Sequence, residues 1–365
     1  MKRVFEGPAK GTDRKLVTIE GPIASNRWTW VVEAGLYSMG LESAIHFHDS
    51  PEPLSRISNN MHNLLKKFGL PGTFVDWKTM SNHRLQDMVK KHKTPLVISL
   101  QGIIDRKTVD RIREINPIIR IIYWWGPPVR KEEQAQRIME LDPMVDVLAL
   151  SFKNDVELMR SKGAEKVVHL PFASCPYHHK LKLNVTSRTR RKYGRDVIFI
   201  GPHGEYEEEL ISRTSEVLGG KVDVWGYGWS TNQWIRHNGL IFPPRNLEAY
   251  AASAVVINAH GKDFLEHNGL NPPFFEIPAA GGFQITEEQP VLDEQPFRSH
   301  VVTFRDSKDL AEKVRYYLHD QGARESMRTR LEKHILEHET YGRRLYDLFT
   351  SMNISPYQDK QEIMA

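Results

Sequence analysis

Cysteine is all but missing from this chain: Cys175 is the only one in 365 residues. A single thiol excludes an internal disulfide framework and suits a reducing compartment. Long apolar runs are missing as well. No segment approaches the roughly 20 apolar residues that a membrane-spanning helix needs. The opening MKRVFEGPAKGTDRK has charges but no apolar stretch behind them, unlike a secretory leader. A cytoplasmic protein without a membrane span is therefore expected. There is no repeat of fixed period and no low-complexity tract. No Asp-X-Asp pair or His/Cys cluster has metal-ligand spacing, and His178-His179 lacks partners, so no metal is expected.

What is present suits a folded chain of two cores. Hydrophobic residues make up 40% and charged residues 26%, a globular mixture. At this length two domains of common size are expected, each burying enough apolar surface to stand without staples. The net charge of +4 is mild, and much of the excess is local, as in Arg188-Thr-Arg-Arg-Lys192. Such a run serves as a solvated linker or meets an anionic partner.

Short apolar runs alternate with longer helical patterns along the chain. Leu16–Ile19, Ser43–Phe47, Pro95–Leu100, Arg120–Trp124, Val145–Leu150 and Lys166–Leu170 read as buried strands. The first is stopped by Gly21-Pro22 and followed by a helix over Arg27–Met39 that ends at Gly40. Continuous apolar strands separated by helices predict a parallel sheet covered on both faces. The pattern lapses between Pro171 and Arg195, then restarts with strands at Asp196–Ile200, Lys221–Trp225 and Ala254–Asn258. Helices are expected at Glu207–Leu218, Asn246–Ser253, Ser307–His319, Ala323–His338 and Thr340–Met352.

The resulting division has an N-terminal Rossmann-like domain over 1–175, a linker over 176–195 and a C-terminal domain over 196–338. A final helix and tail, 339–365, are expected to pack back toward the first domain. Two doubly wound α/β domains imply a cleft between them, with ligands held beyond the carboxyl ends of the strands.

The chemistry points to one stretch. A strand ends at Asn258, a polar loop follows, and Gly269 permits close backbone approach. Pro272-Pro273 can open a helix where a missing N–H costs the helix nothing. The start of such a helix, with free amides and partial positive charge, suits a diphosphate. Glu276, about a turn further on, is placed for the paired hydroxyls of a ribose, and Gly281-Gly282 ends the helix. The same pattern also occurs as an ordinary helix stop before a strand.

The run Phe275-Glu-Ile-Pro-Ala-Ala-Gly-Gly-Phe283 resembles the signature of the CgeB-like (spore-maturation-protein-like) glycosyltransferases, which have the GT-B fold. Other pieces resemble that family in matching order. They are Leu170-Pro-Phe-Ala173, Val197-Ile-Phe-Ile-Gly201, Trp225-Gly-Tyr-Gly-Trp229, Ile257-Asn258 and Glu337-His-Glu-Thr-Tyr-Gly-Arg-Arg344. The resemblance covers about residues 165–350; the earlier part shares only the general plan. It implies a sugar transferred from a nucleotide diphosphate sugar, with UDP-sugar favoured, to an acceptor hydroxyl. It further implies that Glu276 contacts the ribose, that the loop of Asn268, Gly269, Leu270 and Asn271 cradles the diphosphate, and that Gly201, Gly226 and Gly281 belong to the donor pocket. Two departures stand out. Pro273 replaces the Arg found in many relatives, and Asn268 stands where the wider two-Glu pattern of sugar transferases needs an acid. Phosphate charge then falls to backbone donors and to another cation, Lys262 or Arg245.

Charge on the leaving diphosphate can be met without metal or other cofactor by such donors. An inverting transfer also needs a base at the acceptor hydroxyl. Glu20 after the first strand, and His46, His48 or Asp49 after the second, are the candidates; each such residue is more often an ordinary surface or loop residue. His260 and Lys262 follow a strand of the second domain and are placed to meet sugar or phosphate. Tyr123-Trp124-Trp125 reads as core packing or as an acceptor platform. The acceptor stays open between a small molecule, a surface polymer and a modified base in DNA. A non-catalytic protein that binds nucleotide sugar or glycan on the same fold is the rival reading.

Overall fold

A computed structural model describes residues 17–22, 28–48, 77–181 and 183–353. Asp49 lies outside the described residues, and so do the side chains of Lys262 and Asp263.

The elements alternate as the apolar runs predict. Strand β1 (Val17–Gly21) leads to α1 (Trp28–Ser38) and β2 (Ser43–Phe47). Then come α2 (Trp77–His92), β3 (Leu96–Leu100), α3 (Arg106–Ile115), β4 (Arg120–Trp125), α4 (Glu132–Leu141), β5 (Val147–Leu150), α5 (Lys153–Ser161) and β6 (Val167–His169). The first sheet has the order β2-β1-β3-β4-β5-β6. Its central strands are buried throughout and rich in Val, Ile and Leu, as a sheet covered on both faces requires.

The stretch expected as a plain linker carries a helical turn at Tyr177–Leu181 and then α6 (Ser187–Tyr193), capped by the Thr186 hydroxyl. The second series runs β7 (Val197–Ile200), α7 (Glu205–Leu218), β8 (Val222–Trp225), β9 (Ile235–His237), α8 (Arg245–Ala252), β10 (Val255–Asn258), α9 (Gly261–His267), α10 (Pro272–Ala279), β11 (Gln284–Glu287) and β12 (Val302–Phe304). Three helices close the chain: α11 (Ser307–His319), α12 (Gln321–His338) and α13 (Tyr341–Ser351). The second sheet is parallel, in the order β12-β11-β10-β7-β8-β9. Its core joins Val197, Phe199, Val224, Val255, Ile257 and Ile285 with Leu310 and Val314 of α11.

In both sheets the chain order reverses at one point, between β1 and β3 in the first and between β7 and β10 in the second. Connections leave such a pair of strands in opposite directions, so a crevice opens at their carboxyl ends. By compactness the described residues fall into two units. One holds the residues up to Thr29 and Gly40–Tyr123; the other holds Trp30–Met39 and everything from Trp124 onward. In the second unit α13 lies against α1, where a side chain on Gly35 would sit 2.9 Å from Tyr341 Cβ. The Ser174 amide donates to the Glu339 carbonyl at 2.7 Å, and the Tyr341 amide donates to Ser174 at 2.9 Å. No helix among the described residues is long and apolar enough to cross a membrane.

Candidate functional site

The reversal point of the second sheet brings together the loops after β7 and β10, and there the buried polar residues concentrate. Asn258, the last residue of β10, is 3% exposed, and Thr286 on the neighbouring β11 is fully buried. Polar side chains in two adjacent buried strands need partners, because an unpaired buried group costs roughly 1–3 kcal/mol. Here they satisfy one another. Asn271 Nδ2 donates to Asn258 Oδ1 at 3.0 Å and to the Ala259 carbonyl at 3.1 Å. Asn258 Nδ2 donates to Thr286 Oγ1 at 3.1 Å. The Asn271 amide donates to His260 Nδ1 at 3.4 Å, which leaves the ring proton on Nε2 to donate to Thr286 Oγ1 at 3.2 Å. A closed ring of hydrogen bonds thus holds the loop from Ala259 to Asn271.

A second layer braces this ring. Glu287, at the end of β11, accepts from the His260 amide at 2.8 Å and from the Tyr206 hydroxyl. Burial pushes the Glu287 carboxyl up, and the two donors pull it part of the way back. Burial alone drives His260 down to about 3, so its imidazole is neutral at ordinary pH. Both its ring nitrogens are engaged and it is 4% exposed. The expected contact with sugar or phosphate therefore gives way to a shaping role for His260. Tyr206, Thr286 and Glu287 escaped the sequence reading. For Thr286 and Glu287 the one signal was a short buried strand, Gln284-Ile-Thr-Glu287, with three polar residues in four; Tyr206 had none.

The start of α10 differs physically from the expected cradle. Of the first three helical residues, Pro272 and Pro273 have no N–H, and the Phe274 N–H is taken by Asn271 Oδ1 at 3.1 Å. The free amides that were to receive a diphosphate are absent from this helix start. The missing N–H is harmless to the helix but removes the donor from any ligand. Glu276 lies one turn in, partly exposed, and its charge adds to burial in raising the hydroxyls of Tyr250 and Tyr341. Arg245 begins α8 on this same side, exposed, with no side-chain partner among the described residues.

The loop before α10 is fixed from both sides. Asn268 has a left-handed backbone (φ 52°), and its side chain accepts from the Val291 amide at 2.8 Å. Gly269 lies against Phe152, where a Cβ would come within 2.3 Å of the ring. That packing, rather than room for a ligand, is what requires glycine. Leu270 is 6% exposed. Gly201 and Gly226 meet across the ends of β7 and β8. A side chain on Gly226 would stand 1.8 Å from the Gly201 carbonyl, and its φ of 152° already disfavours one. Gly281 lies apart from the others. It follows the far end of α10, and eight helical residues span about 12 Å, so it sits at the amino end of β11.

Glu20 occupies the reversal point of the first sheet, in β1 and 1% exposed. It accepts from the Ser99 hydroxyl and from the Ile103 amide at 3.0 Å, and His48 Nδ1 stands 3.2 Å from it. Burial pulls its carboxyl up, but His48, Ser99 and Ile103 together hold it below the ordinary value. His46 Nε2 is engaged with Ser81 at 2.8 Å. Of the aromatic run, Trp124 is fully buried and donates to Ser151 and to the Leu170 carbonyl, so it is core. The basic run of α6 stands beside the amino ends of the second sheet, with Arg188, Arg190, Arg191 and Lys192 exposed. Among the described residues no group of three His, Cys, Asp or Glu side chains is arranged to hold a metal ion.

Comparisons with known proteins agree with this architecture. Residues 195–350 match the family model described as glycosyl transferase-like. No curated protein matches the chain by sequence. Among solved structures, Anabaena HepE in complex with UDP superposes with a TM-score of 0.60 at 7% identity, over 92% of this chain and 99% of that one. AviGT4, a glycosyltransferase involved in avilamycin A biosynthesis, gives 0.55 at 13% identity, over 92% and 97%. A DNA-modifying β-glucosyltransferase gives 0.52 at 12% identity, over 92% and 99%. The chain therefore has the GT-B fold of two parallel-sheet, Rossmann-like domains, and its second series of strands and helices matches a glycosyl transferase-like domain.

Proposed function

We propose that this protein is a glycosyltransferase that takes a sugar from a nucleotide diphosphate sugar and passes it to an acceptor hydroxyl. The carrying observation is the family match over residues 195–350, which falls on the sheet whose carboxyl ends bear the braced loop. UDP-sugar is the favoured donor, since HepE, of the same fold, has been solved with UDP and with UDP-glucose. Glu276 receives the ribose hydroxyls. Backbone groups of Gly201, Gly226 and the 268–271 loop line the pocket. With the amides of α10 missing, the diphosphate charge falls to Arg245 and Lys262, which offset the negative charge growing on the leaving group. On the acceptor side, Glu20 acts with His48 as a carboxylate–imidazole pair that takes the hydroxyl proton. We assign the protein to the cytoplasm, with domains divided near residues 175 and 195.

The acceptor is a hydroxyl of unassigned parentage. The DNA version draws on the fold shared with a DNA-modifying β-glucosyltransferase, but the basic run that suggested it lies at the other end of the second sheet from the donor loop. It predicts binding that weakens steeply with salt; binding indifferent to salt removes it.

Titration with UDP and UDP-glucose, followed by thermal shift and by donor hydrolysis with and without EDTA, tests the reading. A ligand well above its Kd raises the melting temperature. Glu276→Ala should abolish that rise while the unliganded protein melts as before. If no nucleotide sugar binds at millimolar concentration, the transferase reading fails; binding without donor hydrolysis or transfer favours the non-catalytic reading.

A further inference from the structure

The carboxyl ends of the second sheet account for the residues discussed so far. The amino ends hold something different. Arg195 and Asp196 precede β7, Ser253 and Ala254 precede β10, and Gly281 precedes β11; all of them line one cavity of about 640 Å³. Parallel strands of four residues put roughly 13 Å of sheet between this end and the donor loop. The volume is in the range of small-molecule sites.

The charge in this cavity is one-sided. Five cations line it, Lys180, Arg190, Arg195, Arg324 and Arg328, against the carboxylates of Asp196 and Glu325. They come from four separate segments of chain, so no single helix face explains their meeting. Some are already compensated. Lys180 and Arg328 share Glu332 at 2.5 Å each, Arg328 also reaches Glu325 at 2.9 Å, and Arg195 pairs with buried Asp223 at 3.2 Å. Two are not. Arg190 has no side-chain partner among the described residues, and the Arg324 guanidinium donates there only to the Tyr317 carbonyl, at 2.5 Å. Like charges gathered around a concave surface repel, and a bound anion relieves the repulsion. Guanidinium groups match phosphate oxygens in pairs. The rest of the wall mixes apolar Leu183, Val185 and Ala251 with polar Ser253 and Gln321, a surface that an organic body behind the phosphates can meet.

We propose that this cavity is a second ligand site, separate from the donor site, for a small molecule carrying two or more phosphates. Arg190 and Arg324 are its principal phosphate contacts, and Lys180, Arg195 and Arg328, held in ion pairs, complete the wall.

Calorimetric titration of the full chain with sodium tripolyphosphate, at fixed ionic strength, tests this. Saturable binding is expected in the wild type. Arg190→Glu combined with Arg324→Glu should weaken it at least tenfold. Arg190→Glu alone changes an exposed side chain and should weaken it severalfold without altering the melting temperature. Glu276→Ala should leave it unchanged. The proposal is overturned if the wild type does not bind tripolyphosphate, if both Arg variants bind it as the wild type does, or if Glu276→Ala weakens it as much as the double Arg variant. Because the probe has no sugar or base, failure of the donor reading and failure of this one are read separately.

Discussion

His267 Nδ1 stands 2.5 Å from Asp155 Oδ1, and this pair ties the helix before the 268–271 loop to a helix that follows β5. Asp155 also accepts from the Val129 amide at 3.0 Å, and it is 1% exposed. Burial pushes its carboxyl up, while His267 and Val129 pull it back. Asp155→Ala leaves His267 and the Val129 amide without their acceptor, which should cost about 1–3 kcal/mol. Urea unfolding checks the stability. A matching loss of UDP affinity is expected, because the pair anchors the segment that leads into Asn268.

Two glycines should respond differently to alanine. At Gly269 the new methyl meets the edge of the Phe152 ring at 2.3 Å, and a ring can shift. Overpacking of that kind costs about 1–3 kcal/mol. At Gly226 the methyl meets the Gly201 backbone at 1.8 Å with a positive φ as well, and neither can yield locally. Gly226→Ala should therefore be the more destabilising of the two, by thermal melting, and should displace the β7–β8 end of the pocket. Equal melting temperatures for the two variants would contradict this account.

The pH behaviour of His260 follows from its burial. With the folded value near 3 and the ordinary value 6.5, the unfolded chain takes up a proton between these limits while the folded chain does not. Stability from this residue is complete above about pH 6.5 and is lost as pH falls toward 3. The His260 ring resonance should stay flat from pH 9 to 5 by NMR. His260→Gln should reduce the slope of stability against pH in that window by about one proton.

Glu20 has the same sign in a lower window. Its folded value lies below the ordinary 4.5, so its ionised form stabilises the first unit above about pH 4.5. That contribution disappears as pH drops through the folded value. Glu20→Gln should lose about 1–3 kcal/mol at pH 7 and show a shallower acid limb in denaturation followed by circular dichroism. It should also lower transfer rate more than donor affinity, since the proposed donor contacts belong to the second unit.

Much of the architecture was readable from the chain itself. Buried parallel strands such as Val255–Asn258 carry continuous Val and Ile runs, and the helices between them begin at a capping Asp, as at Asp105 and Asp306, or end at glycine, as at Gly219, so their existence and bounds are local properties. The short helix inside the expected linker left no pattern to read, because α6 is seven residues long and mostly Arg, Thr and Lys. It shows no apolar face; Tyr193 is its one buried residue, and its stability comes from packing against α8.

The site divides along the same line. The sequence determined the loop 268–271 and its helix, with Glu276 one turn in, because prolines, glycines and a cap act on the residues next to them. It also held the missing amides in plain view, since Pro272-Pro273 has no N–H whatever the fold. Only the tertiary structure decided that Asn258, His260, Asn271 and Thr286 close into one ring, that Gly269 answers to Phe152, and that Gly281 lies with the basic cavity. Those pairings join residues between 11 and 117 positions apart, and such distances are bridged by sheet order, which no local pattern encodes.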